Sequence, residues 1–169
     1  MKYKYALFDL DGTLTDPAPG ITNCIMYALR KFGITPPPRE ALYKFIGPPL
    51  LYSFKEYCGF SEKDAELAVA YYRERFSDVG LFENEIYPGI RELLSELCES
   101  GTKVVLATSK PDVYSKRILE HFDIDKYFYF LAANTLTESR PEKSDVIAYA
   151  IESCKIKVPA EAVMVGDRK

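Results

Sequence analysis

A short apolar run, Tyr5 to Phe8, passes directly into Asp9-Leu10-Asp11-Gly12 near the start of the chain. A run that short, with no polar alternation, suits a strand buried on both faces, as in parallel sheets covered by helices. Asp9 and Asp11 then stand at its C-terminal end, and in open α/β sheets ligands bind in the crevice beyond the carboxyl ends of the strands. Side chains two residues apart on an extended chain point the same way, so both carboxylates can converge on one bound group before Gly12 turns the backbone away.

Two such carboxylates repel unless a cation compensates. A hard divalent ion is the natural candidate, and Mg²⁺ takes one or two carboxylates together with substrate phosphate. A solvated Asp-rich turn is the plain alternative. An EF-hand is excluded, because counting from Asp9 puts Leu14 where its glycine belongs and Gly20 where its glutamate belongs.

With 169 residues, 47% of them hydrophobic, the chain can bury the core of one domain or of a domain carrying an insertion. The formal charge of −3 and the scatter of basic residues argue against a nucleic-acid partner. Cys24, Cys58, Cys98 and Cys154 lie far apart without a C-x-x-C pair and are expected as small buried hydrophobes in a reducing compartment. No apolar run approaches the ~18 residues of a membrane span, so a soluble cytoplasmic protein with no membrane partner is expected.

Pro17 to Gly20 reads as linker punctuation after the first strand. Ile21, Ile25, Ala28, Leu29 and Phe32 follow at helical spacing, then come helices over Arg39 to Ile46 and Leu50 to Tyr57. Ser61 and Asp64 resemble a capping box opening a helix that continues over Ala65 to Val79. Residues 17–84 thus form a helical block without a strand. The α/β pattern resumes at Tyr87-Pro88-Gly89, with Ile90, Leu93, Leu94 and Leu97 as the inward stripe of a helix. Strands over Lys103 to Ala107, Tyr127 to Ala132 and Ala162 to Val165 alternate with helices over Pro111 to His121 and Glu142 to Cys154. This predicts a doubly wound parallel sheet built from residues 1–16 and 85–169, with 17–84 as an insertion.

The ordered set Asp9 to Asp16, Leu106-Ala107-Thr108-Ser109-Lys110, Arg140-Pro141-Glu142-Lys143 and Val163-Met164-Val165-Gly166-Asp167 resembles the motifs of the haloacid dehalogenase-like superfamily, over essentially the whole chain. The resemblance implies that Asp9 is a nucleophile forming a phosphoaspartate and Asp11 a general acid/base. Asp11 separates phosphatases and mutases from the dehalogenases, which lack it. Thr13, Thr15 and Asp16 are expected to support the loop without chemistry of their own. Thr108 matches the hydroxyl that donates to a phosphoryl oxygen, with Ser109 beside it as a substrate contact; Lys110 is ambiguous. The third motif needs a cation on the transferring phosphoryl. Lys143 is the favoured residue, in an Arg-x-x-Lys arrangement similar to that of nucleotidase-like members, and Arg140 is held in reserve as a substrate contact. Asp167 would complete a Mg²⁺ site with Asp9 and the backbone carbonyl of Asp11.

The helical block is similar to the C1-type cap of the phosphoglycolate phosphatase and β-phosphoglucomutase branches, with Gly47-Pro48-Pro49 as the loop facing the substrate. Most of its aromatic residues are expected in the bundle core, and Arg39, Lys44 and Lys55 are candidates for a substrate carboxylate. A further acidic residue usual after Asp167 would lie past Lys169, so the C-terminal end of the core is expected to be missing. His121 is assigned to a helix dipole, and no P-loop is present to support an ATP-dependent kinase. The resulting expectation is a Mg²⁺-dependent phosphatase of a small phosphorylated metabolite, resembling phosphoglycolate phosphatases. The alternatives are a 5′-nucleotidase, a β-phosphoglucomutase-like phosphotransferase and an inactive truncated binding remnant.

Overall fold

The computed structural model describes residues 3–137 and 139–167. The chain divides into two compact units, one built from the residues up to Asp16 and from Ile86 onward, the other from Pro17–Glu85. In the first, β1 (Tyr5–Phe8), β4 (Lys103–Pro111), β5 (Phe128–Asn134) and β6 (Ala162–Val165) form a parallel sheet in the order β5-β4-β1-β6. The expected parallel core is therefore present, with β1 central as its uniformly apolar run requires. Two further strands, β2 (Thr15–Asp16) and β3 (Glu85–Ile86), pair as a short ribbon where the chain crosses between units. Two residues are too few to leave a periodic signal, and neither strand was predicted.

Alternation along β1 decides what the site is built from. Leu7 joins Val105, Ala107 and Ala132 in a core closed by Val146 and Ala150 of α6 (Lys143–Ser153) and by its C-cap Cys154. Spaced by three and four residues, those α6 positions share one helix face with Lys143. A helix that packs this face onto the sheet brings its own first residue to the carboxyl ends of β1 and β4. Glu142 caps α6 in a reciprocal capping box with Asp145, so the helix starts one residue later than predicted.

The loop after β1 is folded as part of the core. Leu10 and Leu14 are completely buried. The backbone amides of Thr13, Leu14 and Thr15 all donate to the Leu10 carbonyl, and that of Gly12 to the Thr15 carbonyl.

β4 runs past its predicted end. Thr108 pairs with Ala133 and Pro111 with Asn134, leaving Ser109 and Lys110 as a bulge that no apolar pattern announces. On α4 (Ile90–Glu99) only Leu94 is fully buried, and Leu93 is 39% exposed. The predicted stripe is narrower because α4 packs chiefly on β4 and on the 3₁₀ turn Asp125–Tyr127. α5 (Asp112–His121) ends with His121 in its last turn.

The second unit is helical: α1 (Ala18–Lys31), α2 (Leu50–Cys58) and α3 (Glu62–Arg75). α1 begins inside the predicted linker, since Pro is tolerated in a first helical turn. Gly20 is buried there because a Cβ would lie 2.0 Å from the Gly80 carbonyl oxygen. Arg39–Phe45 is a 3₁₀ rather than an α-helix, its three-residue turn stacking buried Leu42 and Phe45 on one side. α3 gives way to a π turn over Phe76–Gly80 instead of continuing to Val79.

Phe45, Phe54, Tyr72 and Phe76 are core, whereas Tyr43 and Tyr52 are exposed. Arg39 is held by Thr22 and Asn23, Lys55 pairs with Glu62, and Lys44 lies over the Tyr57 ring. Cys24 and Cys154 are buried as expected, Cys58 is half-buried, and Cys98 is exposed with its thiol on the Tyr127 carbonyl. None of the four is in a disulfide. Among the described residues no helix is long and apolar enough to cross a membrane.

Candidate active site

Asp9 continues the β1–β6 pairing one residue further, its amide donating to the Val165 carbonyl at 3.0 Å. Its parity with Leu7 turns its side chain to the α6 face. Lys143 Nζ lies there, 2.6 Å from Asp9 Oδ2 and 2.6 Å from the Ala107 carbonyl oxygen that accepts from it. Asp9 Oδ1 accepts from the Leu10 amide. A lysine in the first turn of a helix opposes the macrodipole by roughly 0.3–1 kcal/mol, so this position is explained by the carboxylate it faces rather than by the helix it belongs to.

Arg140 is turned elsewhere. Its guanidinium donates to the Ala133 carbonyl at 3.0 Å and stacks 3.7 Å above the Tyr149 ring, while its amide donates to Asn134 Oδ1. Lys143, not Arg140, is the cation on Asp9.

Asp11 carries a lysine of its own. Lys110 Nζ lies 2.8 Å from Asp11 Oδ2, with side chains only 7% and 17% exposed. Asp11 Oδ1 is buried with no hydrogen-bond partner, as are Thr13 Oγ1 and Thr15 Oγ1. Thr108, itself buried, accepts the Lys110 amide at 3.2 Å on its hydroxyl oxygen, which leaves the hydroxyl proton to be donated elsewhere. Ser109 is half-buried in the same bulge. Gly47 belongs to the helical unit, where it has a φ of 112°.

Asp167 follows β6 and its carboxylate is packed against Gly12, at which an added Cβ would meet Oδ2 at 2.5 Å. Burial pushes the Tyr87 phenol upward, and the negative charges of Asp16, Asp167 and Asp11 add to the shift. Acidic charge is therefore concentrated around this end of the sheet. Among the described residues no group of three or more acidic, histidine or cysteine side chains is placed to hold a metal ion. Mg²⁺ does not require one, since it binds through one or two carboxylates and keeps waters and phosphate as its other ligands. The carboxylate packed at Gly12 suits such an open oxygen site.

Sequence reasoning assigned no role to Lys110 or Tyr87. Both stand beside motif residues, but only folding shows which way their side chains turn.

The parallel sheet thus carries two carboxylates at the end of β1, each matched to a lysine. Residues 6–169 match the profile of the haloacid dehalogenase-like hydrolases, and the chain belongs to that family. A 5′-nucleotidase of Pseudomonas aeruginosa is 42% identical over 168 residues, which cover 99% of this chain and 76% of the relative. Tyrosine-protein kinase PtkA of Mycobacterium tuberculosis is 38% identical, over 96% of this chain and 55% of its own length. Phosphoglycolate phosphatase 1 of Pseudomonas aeruginosa is 28% identical, over 98% and 63%. Among solved structures, a predicted phosphatase from Clostridium acetobutylicum superposes with a TM-score of 0.91 at 50% identity, over 99% of this chain and 77% of that one.

Proposed function

We propose that the chain is a phosphatase of small phosphate monoesters that works through a phosphoaspartate on Asp9, with 5′-nucleotides favoured over phosphoglycolate as substrates. The observation that carries the reading is the 2.6 Å approach of Lys143 to Asp9. A cation held there by the Ala107 carbonyl can neutralise both the nucleophile and the arriving phosphoryl oxygens. The order of substrates rests on the greater identity to the 5′-nucleotidase, 42% against 28%, and reverses the preference drawn from sequence.

In the first step an Asp9 oxygen bonds to phosphorus, and the ester P–O bond breaks with its electron pair going to the alcohol oxygen. Asp11 delivers a proton to that oxygen. In the second step water attacks phosphorus, Asp11 removes its proton, and the P–O bond to Asp9 breaks with its pair returning to the carboxylate. The Thr108 hydroxyl and Ser109 would hold phosphoryl oxygens. Mg²⁺ held by Asp9, the Asp11 carbonyl and Asp167 would supply charge neutralisation and Lewis-acid polarisation. The helical unit, with Gly47 in its loop, is proposed as the cap that selects substrate and excludes water.

The test is phosphate release from 5′-nucleotides, phosphoglycolate and sugar phosphates, with and without Mg²⁺, by wild type and Asp9→Asn. Metal-dependent release confined to wild type is expected. Transfer of phosphate to a second sugar hydroxyl would favour the mutase, and transfer from ATP to tyrosine a kinase. A folded but inert chain would fit the binding-remnant alternative.

A further inference from the structure

Lys110 stands where β4 loses register with β5. The strand advances from Thr108 to Pro111 while its partner advances only from Ala133 to Asn134, so Ser109 and Lys110 are surplus to the pairing. Bulges of this kind re-aim a side chain, and here the lysine reaches Asp11 Oδ2 at 2.8 Å with only 7% of its side chain exposed. The bulge is fixed from both sides. The Lys110 amide donates to Thr108 Oγ1, and the Ser115 hydroxyl donates to the Pro111 carbonyl at 3.0 Å.

We infer that Lys110 is a positioning residue that decides which oxygen of Asp11 handles the proton, an inference that rests on the phosphatase reading above. An ammonium group has three donors and no acceptor. An oxygen it holds can receive a hydrogen bond from it but cannot donate one to it, so a proton on Asp11 resides on Oδ1. Oδ1 is the buried oxygen without a partner, and leaving it so costs the free energy of an unmade hydrogen bond. A leaving-group oxygen in the first step, or the attacking water in the second, supplies that bond. Lys110 also fixes the carboxylate plane, so proton delivery does not wait on rotation about the side chain. Lys143 and Lys110 thus divide the work, one serving the phosphoryl acceptor Asp9 and the other the proton carrier Asp11.

The experiment uses wild type, Lys110→Met, Asp11→Asn, the double variant and Asp9→Asn with Mg²⁺. Burst release from p-nitrophenyl phosphate, whose phenolate leaves without a proton, is compared with single-turnover cleavage of a nucleoside 5′-monophosphate, whose alkoxide needs one. Lys110→Met is expected to slow the nucleotide reaction about 10²-fold while leaving the p-nitrophenolate burst within about 3-fold. Added to Asp11→Asn, it is expected to cost no more than about 2-fold further, as for residues acting through one another.

Equal losses on both esters, or full additivity in the double variant, would show that Lys110 acts on the phosphoryl group or the fold, and would overturn the assignment. If Lys110→Met alone does not fold, the comparison of Asp11→Asn with the double variant, which strands no charge, decides. A folded wild type that hydrolyses neither ester, or hydrolysis that survives Asp9→Asn, overturns the phosphatase reading and this inference with it. A burst lost in Asp9→Asn but with equal Lys110→Met losses overturns this inference alone.

Discussion

Lys143 lies 2.6 Å from Asp9, although the two are 134 positions apart (143 − 9) and belong to different elements. The contact follows from one packed face. α6 buries Val146 and Ala150 on the sheet, and the same face carries Lys143 to the end of β1. Lys143→Met is expected to lower turnover about 10²- to 10³-fold, as loss of a preorganised charge at the reacting group does. Lys143→Arg, keeping the charge but not its compact shape, should recover only part of the loss. Phosphate-release kinetics on the preferred ester measures both.

Gly12 combines a φ of 77° with a close approach to Asp167. Gly12→Ala therefore meets both a left-handed backbone penalty of roughly 1 kcal/mol and a carboxylate that must move. Calorimetric Mg²⁺ titration should show affinity weakened about 10-fold or more, as when the surroundings of a metal ligand are disturbed. Asp167→Asn should weaken it in the same direction. Unchanged affinity in both variants would remove Asp167 from the metal site.

Arg140 is engaged by Ala133 and Tyr149. Arg140→Ala is expected to cost about 1–2 kcal/mol of stability through the lost stacking and hydrogen bond, while turnover changes by less than about 3-fold. Denaturant unfolding and steady-state kinetics on one preparation separate the two effects. A large kinetic loss at unchanged stability would make Arg140 a substrate contact after all.

These residues also mark what a sequence can convey. β1 and the first part of β4 were legible because a strand covered on both faces must be apolar, and Asp9 and Asp11 stood out where the first such run stops, whereas Thr108 and Asp167 were read through the resemblance to the family's motifs. Lys110 was not legible as a partner of Asp11, because a bulge depends on the register of the neighbouring strand and not on its own residues. Lys143 was favoured over Arg140 from the motif, but that Arg140 stacks on Tyr149, nine positions further along (149 − 140), was not legible. The 3₁₀ turn at Arg39–Phe45 was read as an α-helix because over seven residues a spacing of three fits either. The π turn at Phe76–Gly80 depends on the approach of Gly80 to Gly20, which apolar periodicity does not encode.

Within the helical unit, Arg75 makes a two-pronged ion pair with Glu83 at 2.7 and 2.8 Å. Hydrogen bonding to Arg75, aided by Asn23, outweighs burial and holds the Glu83 carboxyl below the usual carboxylate range. A depressed folded value means the unfolded chain takes up the proton first as pH falls. The stabilisation is therefore complete above the ordinary glutamate value of about 4.3 and is lost as pH drops through the lower folded value. Its size is at most about 1 kcal/mol for a partly exposed pair. Denaturation midpoints for wild type and Glu83→Gln should differ at neutral pH and converge in acid.

The three amides gathered on the Leu10 carbonyl, between two fully buried leucines, give the loop after β1 the same fate as the sheet. It cannot open as a separate unit without exposing Leu10 and Leu14, so hydrogen exchange from Leu10 to Thr15 should follow global unfolding rather than local fluctuation. The carboxylates are consequently placed during folding, before any ester arrives. In such a site the energy of substrate binding need not be spent on assembling the nucleophile and remains available to distinguish one ester from another.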